Sequence, residues 1–235
     1  MQIVGLQKMT LLDYPGKVAC TVFLPGCNFR CPFCHNGQLL EGKQDILMDD
    51  GELLIFLSKR KGLLDGVCIT GGEPTIHPEL PALLRAIREL GYPIKLDTNG
   101  YRPQILREIL REGLADYIAM DLKSSPSGYG TAVGLSDPDL NRIGESIRLL
   151  QDIGVDYELR TTVVSPIHSA ETIQDMGKWL LEVTNGKPVP RLYVQAFVDR
   201  DTVPVGGLST PSGEELELFT RILSGCAEAV ALRGT

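Results

Sequence analysis

The sequence predicts an α/β fold: an open, partial (β/α)6 barrel with a parallel sheet and a functional site at the C-terminal ends of its strands. Three observations carry this expectation. Short β-rich apolar runs alternate with amphipathic helical runs six times along 235 residues, the pattern of one parallel sheet with helices outside it. Eight such units would close a full barrel in about 250 residues, so six leave it open. The linkers are too short to part the chain, and residues 1–235 read as a single domain.

Residues 18–24 form the first strand and run directly into a cysteine-bearing loop. Residues 52–60 read as helix after an Asp49-Asp50 cap, and residues 67–70 as the second strand. Pro78 suits the first position of a helix in which Leu80, Leu83, Leu84 and Ile87 recur at helical spacing, and Gly91 stops it. Residues 94–97 are the third strand. Pro103 opens a helix carrying Ile105, Leu106, Ile109 and Leu110, closed by Gly113.

Residues 117–122 are the fourth strand, followed by a glycine- and serine-rich loop over 123–136. Asp137-Pro138 caps a helix with Leu140, Ile143, Ile147 and Leu150, ending at Gly154. Residues 157–164 are the fifth strand, and Ser169 starts a helix bearing Ile173, Met176, Trp179 and Leu180. The sixth strand spans 192–197. A last helix begins near Ser212, with Glu215 placed for a capping box, and turns Leu216, Phe219, Ile222 and Leu223 inward.

Composition excludes several classes. No run approaches the ~20 apolar residues that span a bilayer, and no secretory signal opens the chain, so a soluble, cytoplasmic protein without a membrane partner is expected. A net charge of −7 argues against a nucleic-acid partner with a large footprint. Six cysteines in such a chain do not read as a disulfide framework. Cys20 and Cys68 lie in apolar strand runs, where cysteine behaves as a small buried hydrophobe.

Cys226 stands alone near the end of the sequence, and the other three stand in one tight run, Cys27-Asn28-Phe29-Arg30-Cys31-Pro32-Phe33-Cys34. This C-x3-C-x2-C spacing can hold a cubane iron–sulfur cluster by three irons and leave the fourth open, whereas electron-carrying clusters normally take four thiolates. A zinc site using Cys27, Cys31, Cys34 and His35 is the alternative. It is disfavoured because Cys34 and His35 are adjacent and structural zinc sites usually pair two separate ligand hairpins.

Ligands of parallel sheets bind at the carboxyl ends of the strands, and each predicted strand delivers polar groups there. The first ends in the cysteine loop, the second in Gly71-Gly72-Glu73-Pro74, the third in Asp97-Thr98-Asn99-Gly100 and the fourth in Asp121-Leu122-Lys123. The fifth carries Arg160 and the sixth Gln195. Simpler roles stand beside these: Gly71-Gly72 as a plain turn with Glu73 solvated, Asn99-Gly100 as a turn dipeptide, and Asp97 and Asp121 in an ion-pair network with Lys123 and Arg160. His35, His77 and His168 sit beside turns and receive no catalytic role. The glycines match neither a dinucleotide fingerprint nor a P-loop.

The cysteine run together with Gly71-Gly72-Glu73-Pro74 resembles the radical S-adenosylmethionine (SAM) enzymes over nearly the whole chain. Further stretches, Gly5-Leu6-Gln7-Lys8, Asp13-Tyr14-Pro15-Gly16-Lys17, Lys95-Leu96-Asp97-Thr98-Asn99-Gly100 and Ala119-Met120-Asp121-Leu122-Lys123, are similar to the glycyl-radical-enzyme activating proteins. Among these, the activators of anaerobic ribonucleoside-triphosphate reductase are the most similar. The resemblance implies that Cys27, Cys31 and Cys34 bind a [4Fe–4S] cluster whose open iron is chelated by SAM. It implies that Phe33 contacts the adenine, that Gly71, Gly72 and Glu73 meet the SAM amino group, and that Pro74 shapes their turn. Asn99, Lys123 and Arg160 are implied for the carboxylate and ribose. Asp97, Thr98 and Asp121, with backbone near Ala119, are implied as ligands of a monovalent cation.

The activity so implied is reductive cleavage of SAM to methionine and a 5′-deoxyadenosyl radical, which takes a hydrogen atom from a backbone glycine of a large partner enzyme. Anaerobic ribonucleotide reductase is the implied partner, and flavodoxin or ferredoxin the implied reductant. The loops at 13–16 and 123–136 are candidates for gripping the partner. An activator of a pyruvate formate-lyase type enzyme, or a small-molecule radical SAM enzyme resembling 7-carboxy-7-deazaguanine synthase, is the alternative. An electron-transfer or zinc module is disfavoured, because it needs no polar rim on six strands.

Overall fold

The computed structural model describes residues 1–41 and 43–233, which group into two compact units. The first comprises Met1–Asn28 and Gln38–Ala119; the second comprises Phe29–Gly37 and the chain from Met120 onward.

In the first unit the elements run β1 (Gln2–Ile3), β2 (Gly5–Thr10), β3 (Ala19–Leu24), β4 (Met48–Asp49), α1 (Asp50–Ser58), β5 (Gly66–Gly71), α2 (Leu80–Glu89), β6 (Ile94–Thr98), α3 (Pro103–Arg111) and the start of β7 (Tyr117–Asp121). β3 pairs with β5 in parallel, Cys20 opposite Val67, and β5 pairs with β6 in parallel, Cys68 opposite Lys95. β2 joins β3 antiparallel through a bulge between Gln7 and Thr10, and β1 pairs with β4 as a separate antiparallel ribbon. Val22, Leu24, Val67, Ile69, Ile94 and Leu96 are fully buried, as expected for parallel strands covered on both faces. Leu80, Leu84 and Ile87 of α2 pack inward at the spacing read from the sequence.

The second unit contains α4 (Tyr129–Val133), α5 (Leu140–Ile153), β8 (Asp156–Val163), α6 (Ala170–Val183), β9 (Val189–Ala196), α7 (Gly213–Leu223) and β10 (Ala227–Arg233). β8, β9 and β10 are mutually parallel, Leu159 opposite Leu192 and Val230 opposite Leu192. Ile143, Ile147, Leu150, Ile173, Met176, Leu180 and Phe219 are buried. Ser212 and Glu215 form the expected capping box, and Ser169 caps α6 by accepting from the Thr172 amide.

All six expected strands are present, each within three residues of its expected start, and the mainly parallel α/β class is borne out. Several local expectations are corrected. α2 begins at Leu80 with Pro81 in its first turn, and Pro78 belongs to the turn before it. The cap of α5 is Asp139, whose side chain accepts from the Asn141 amide, so Asp137-Pro138 stands outside the helix. α1 starts at Asp50, two residues early, because Asp49 and Glu52 close a capping box there. The loop over 123–136 contains the short helix α4. β2 and β10 add strands that the apolar pattern did not reveal. β10 is alanine-rich and largely solvent-facing, and alanine favours helix over strand. Among the described residues, no helix is long and apolar enough to cross a membrane.

Candidate functional site

In the first unit, Cys27 follows a turn clamped from two sides. The Gly26 amide donates to the Leu39 carbonyl at 2.7 Å, and the Gly26 carbonyl accepts from the Glu73 amide at 2.9 Å. The glycine pair at the end of β5 is required by this approach. A β-carbon on Gly72 would lie 1.8 Å from the Gly26 carbonyl oxygen, and one on Gly71 2.2 Å from that of Leu24. Gly71 also has a φ of 127°, which only glycine adopts readily. Gly72→Ala is therefore expected to cost about 1–3 kcal/mol by pushing the turn before Cys27 away. Thermal unfolding checks this, with a fall in Tm of roughly 2–12 °C.

Glu73 is 1% exposed. Its Oε1 accepts from the Thr75 amide (3.0 Å), the Thr75 hydroxyl (2.5 Å) and the Thr98 hydroxyl (2.7 Å), and its Oε2 accepts from the Asn99 amide (2.6 Å). Burial pushes the carboxyl up from its usual range, while Thr75, Asn99 and Thr98 oppose the shift by donating to it. The side chain thus ties the turn after β5 to the turn after β6, and Pro74 opens the 3-10 turn that brings Thr75 under it. Asn99 in turn donates from Nδ2 to the Asn28 side-chain oxygen Oδ1 at 2.8 Å, with the Cys27 sulfur 4.0 Å away. Asn28, the residue after this cysteine, has its Nδ2 buried with no partner among the described residues. A donor in that position fits an acceptor-bearing group bound at Cys27.

Asp97 pairs with the ammonium of Lys95, two residues before it on the same strand face. The Lys95 side chain is 3% exposed and also lies 3.8 Å from the Cys68 sulfur. The expected network, which gives Asp97 to Lys123 and Arg160, is corrected here to Lys95. The available signal was a lysine between Ile94 and Leu96 in a strand of a parallel sheet, where it has to be buried and paired.

In the second unit, Cys31 and Cys34 share one turn, the Cys34 amide donating to the Cys31 carbonyl at 3.2 Å. This loop is held by α4 and its cap. The Arg30 amide donates to the Val133 carbonyl at 2.8 Å, and a β-carbon on Gly134 would meet the Arg30 carbonyl at 2.3 Å. Burial pushes the Cys31 thiol up to about 11, with the Lys123 ammonium pulling the other way. Cys34 is raised by burial and drawn down by the same lysine. Lys123 is therefore the charge that favours both thiolates.

Lys123 and Arg160 both bind Asp121, Nζ to Oδ2 and Nε to Oδ1, each at 2.9 Å. Burial alone would raise the Asp121 carboxyl, but the charges of Arg160 and Lys123 outweigh it and hold the group at about 2. Phe33 is 3% exposed, and its ring meets that of His168 edge-on at 5.9 Å. His168 Nδ1 accepts from the Val164 amide at 3.1 Å, so Nε2 carries the proton and donates to the Lys123 carbonyl at 2.8 Å. His168 thus positions both Phe33 and Lys123, a role its place beside a turn did not signal. His35 stacks on Phe197 and meets the Val198 carbonyl at 2.9 Å, so it is held within its own surroundings rather than presented as a zinc ligand. Gln195 lies 3.4 Å from the Thr162 hydroxyl on β8.

The donor set fits the groups that the motifs imply. All three cysteines of the run are free thiols, a lysine ammonium favours two of them as thiolates, and the residue after the third, Cys27, carries a buried amide donor with no partner among the described residues.

Comparison with known proteins adds the following. The family model described as the radical SAM superfamily matches residues 21–182. A Methanocaldococcus jannaschii protein, provisionally named a glycyl-radical enzyme activating enzyme, is 31% identical over 219 residues, covering 91% of this chain and 87% of its own. The pyruvate formate-lyase-activating enzyme of Clostridium pasteurianum is 28% identical over 200 residues, covering 81% of each. The crystal structure of a domain of a pyruvate-formate lyase-activating enzyme from Bacteroides vulgatus superposes with a TM-score of 0.58 at 22% identity, covering 72% of this chain and 99% of that one. This last is a likeness of fold.

Proposed function

The chain belongs to the radical SAM superfamily, and from that premise we propose that it is a glycyl-radical-enzyme activating enzyme whose partner is anaerobic ribonucleotide reductase. The observation that carries this reading is length. The chain spans 87% and 81% of two relatives named as activating enzymes, so the likeness covers most of each protein and is not confined to a shared core. The choice of partner rests on the stretches at 5–8, 13–17, 95–100 and 119–123.

Cys27, Cys31 and Cys34 would hold a [4Fe–4S] cluster. When bound, the cluster and SAM supply a 5′-deoxyadenosyl radical able to abstract a hydrogen atom from glycine. The protein's residues bind and orient. The Lys123 ammonium favours the Cys31 and Cys34 thiolates. Phe33, braced by His168, offers an apolar face for adenine. Because the Glu73 carboxylate is spent on Thr75, Thr98 and Asn99, the backbone of 71–73 is what this turn presents to the SAM amino group. Asn99, Lys123 and Arg160 serve its carboxylate and ribose. A flavodoxin or ferredoxin supplies the electron.

The test is electron paramagnetic resonance on the anaerobically reconstituted protein with SAM, reduced flavodoxin and purified anaerobic ribonucleotide reductase. A glycyl-radical doublet is the expected result. A doublet only when pyruvate formate-lyase replaces the reductase reassigns the partner. No doublet with either, while SAM cleavage proceeds, overturns the activating role in favour of a small-molecule substrate.

A further inference from the structure

We infer that Lys95 is the resident cation of the first unit: its ammonium fills the charge-balancing place beside Asp97 and makes a bound monovalent metal ion unnecessary there. The inference rests on geometry within each unit taken by itself and does not depend on which partner enzyme is activated.

The argument starts from register. Lys95 lies opposite Cys68 in the parallel pair of β5 and β6, between the fully buried Ile94 and Leu96. Its side chain is 3% exposed and that of Asp97 16%. Two charges so far out of water persist only by pairing, and the ammonium meets the Asp97 carboxylate directly. Residues two apart on a strand share a face, so the tether places the ammonium at the carboxylate with no loss of a freely diffusing ion. Lysine carries three donors and no acceptor, and the thiol of Cys68 at 3.8 Å adds a polarisable neighbour.

A metal ion at this point would have to displace that ammonium and recruit oxygens that are already engaged. The Thr98 hydroxyl donates to Glu73 at 2.7 Å and accepts from the Gly100 amide at 3.1 Å. In the second unit, the other carboxylate expected to hold such an ion, Asp121, is bound by Lys123 and Arg160. Each carboxylate therefore already has a cationic side chain of this chain as its partner.

Thermal unfolding of the reconstituted protein tests this, in potassium, sodium or tetramethylammonium chloride of equal ionic strength. The three wild-type Tm values are expected to agree within about 1 °C, because no ion is bound specifically. Lys95→Met takes the ammonium away from an Asp97 carboxylate that is only 16% exposed, and its Tm in tetramethylammonium is expected to fall by roughly 6–20 °C. Potassium or sodium, small enough to enter the vacated place, should relieve that fall.

A wild-type Tm raised by more than about 3 °C in potassium or sodium overturns the inference. So does a Lys95→Met protein that melts with the wild type, or whose loss neither ion relieves. Should Lys95→Met fail to fold, thallium-205 resonance on the wild type decides alone. A saturable shift overturns the proposal, and an unshifted line sustains it.

Discussion

Replacing Cys31 by alanine is expected to leave a folded protein that carries no iron–sulfur cluster and makes no 5′-deoxyadenosine from SAM. Cys31 is 7% exposed on a loop held by α4. Losing one sulfur there should cost about 0.5–3 kcal/mol, within the range of ordinary substitutions. Its loss to the cluster is of another order. Three thiolates are the full protein ligand set of a cubane with one open iron, and no other thiol can take over. Cys20 and Cys68 are fully buried within strands of the first unit, and Cys226 is 2% exposed in the second. Burial pushes the Cys20 thiol up to about 12 and the Cys226 thiol up to about 11, so both remain protonated at neutral pH.

The Cys31 thiol is also raised by burial, to about 11, but it has the Lys123 ammonium to draw on, and cluster loading releases its proton. Visible absorbance, iron content and chromatography for 5′-deoxyadenosine check the prediction, with circular dichroism to confirm the fold. Cys20→Ala, by contrast, should keep its brown colour and its activity. A brown, SAM-cleaving Cys31→Ala protein would sink the assignment of the cluster to this run, as would a colourless wild type holding zinc.

The strand–helix alternation was legible because parallel strands buried on both faces read as continuous apolar runs such as Val67–Ile69, bounded by glycine and polar residues. β10 was hidden because Ala227, Ala229 and Ala231 carry no strand preference, and its bond to β9 is a matter of backbone pairing that side-chain patterning does not report. In the site, the positions of the polar residues were legible from where the strands end, as was the pairing of Asp121 with Lys123 and Arg160, but the partner of Asp97 was not. Asp97 and Asp121 stand at equivalent strand ends, yet one takes Lys95 from its own strand and the other takes both Lys123, just beyond its strand, and Arg160 from β8. Which cation reaches which carboxylate depends on side-chain direction and register, and neither follows from spacing along the chain. Glu73 shows the same limit. A glutamate after two glycines reads as a ligand-facing acid or a solvated one, and the structure instead closes it inside the protein with four donors.

That closure makes Glu73→Gln the second change expected to have a large effect, and one whose form separates two roles. An amide in place of the carboxylate retains one acceptor oxygen but turns the other position into a donor. It then faces either the Asn99 amide or the Thr75 and Thr98 donors. The cost should be about 2–4 kcal/mol, or a fall in Tm of roughly 4–16 °C, before any cofactor is added. The turns after β5 and β6 would lose their shared anchor, so SAM cleavage should fall together with stability. If the carboxylate instead served mainly to bind the SAM amino group, Glu73→Gln would melt with the wild type and raise only the KM for SAM.

A double-mutant cycle with Thr98→Val sharpens the distinction. Thr98 is 2% exposed and donates to Glu73 Oε1 at 2.7 Å. In the anchoring role the two substitutions remove one shared interaction, and their combined stability loss should fall short of the sum by about 0.5–3 kcal/mol. Strict additivity would place Thr98 outside the anchor and leave Glu73 to act on the ligand alone.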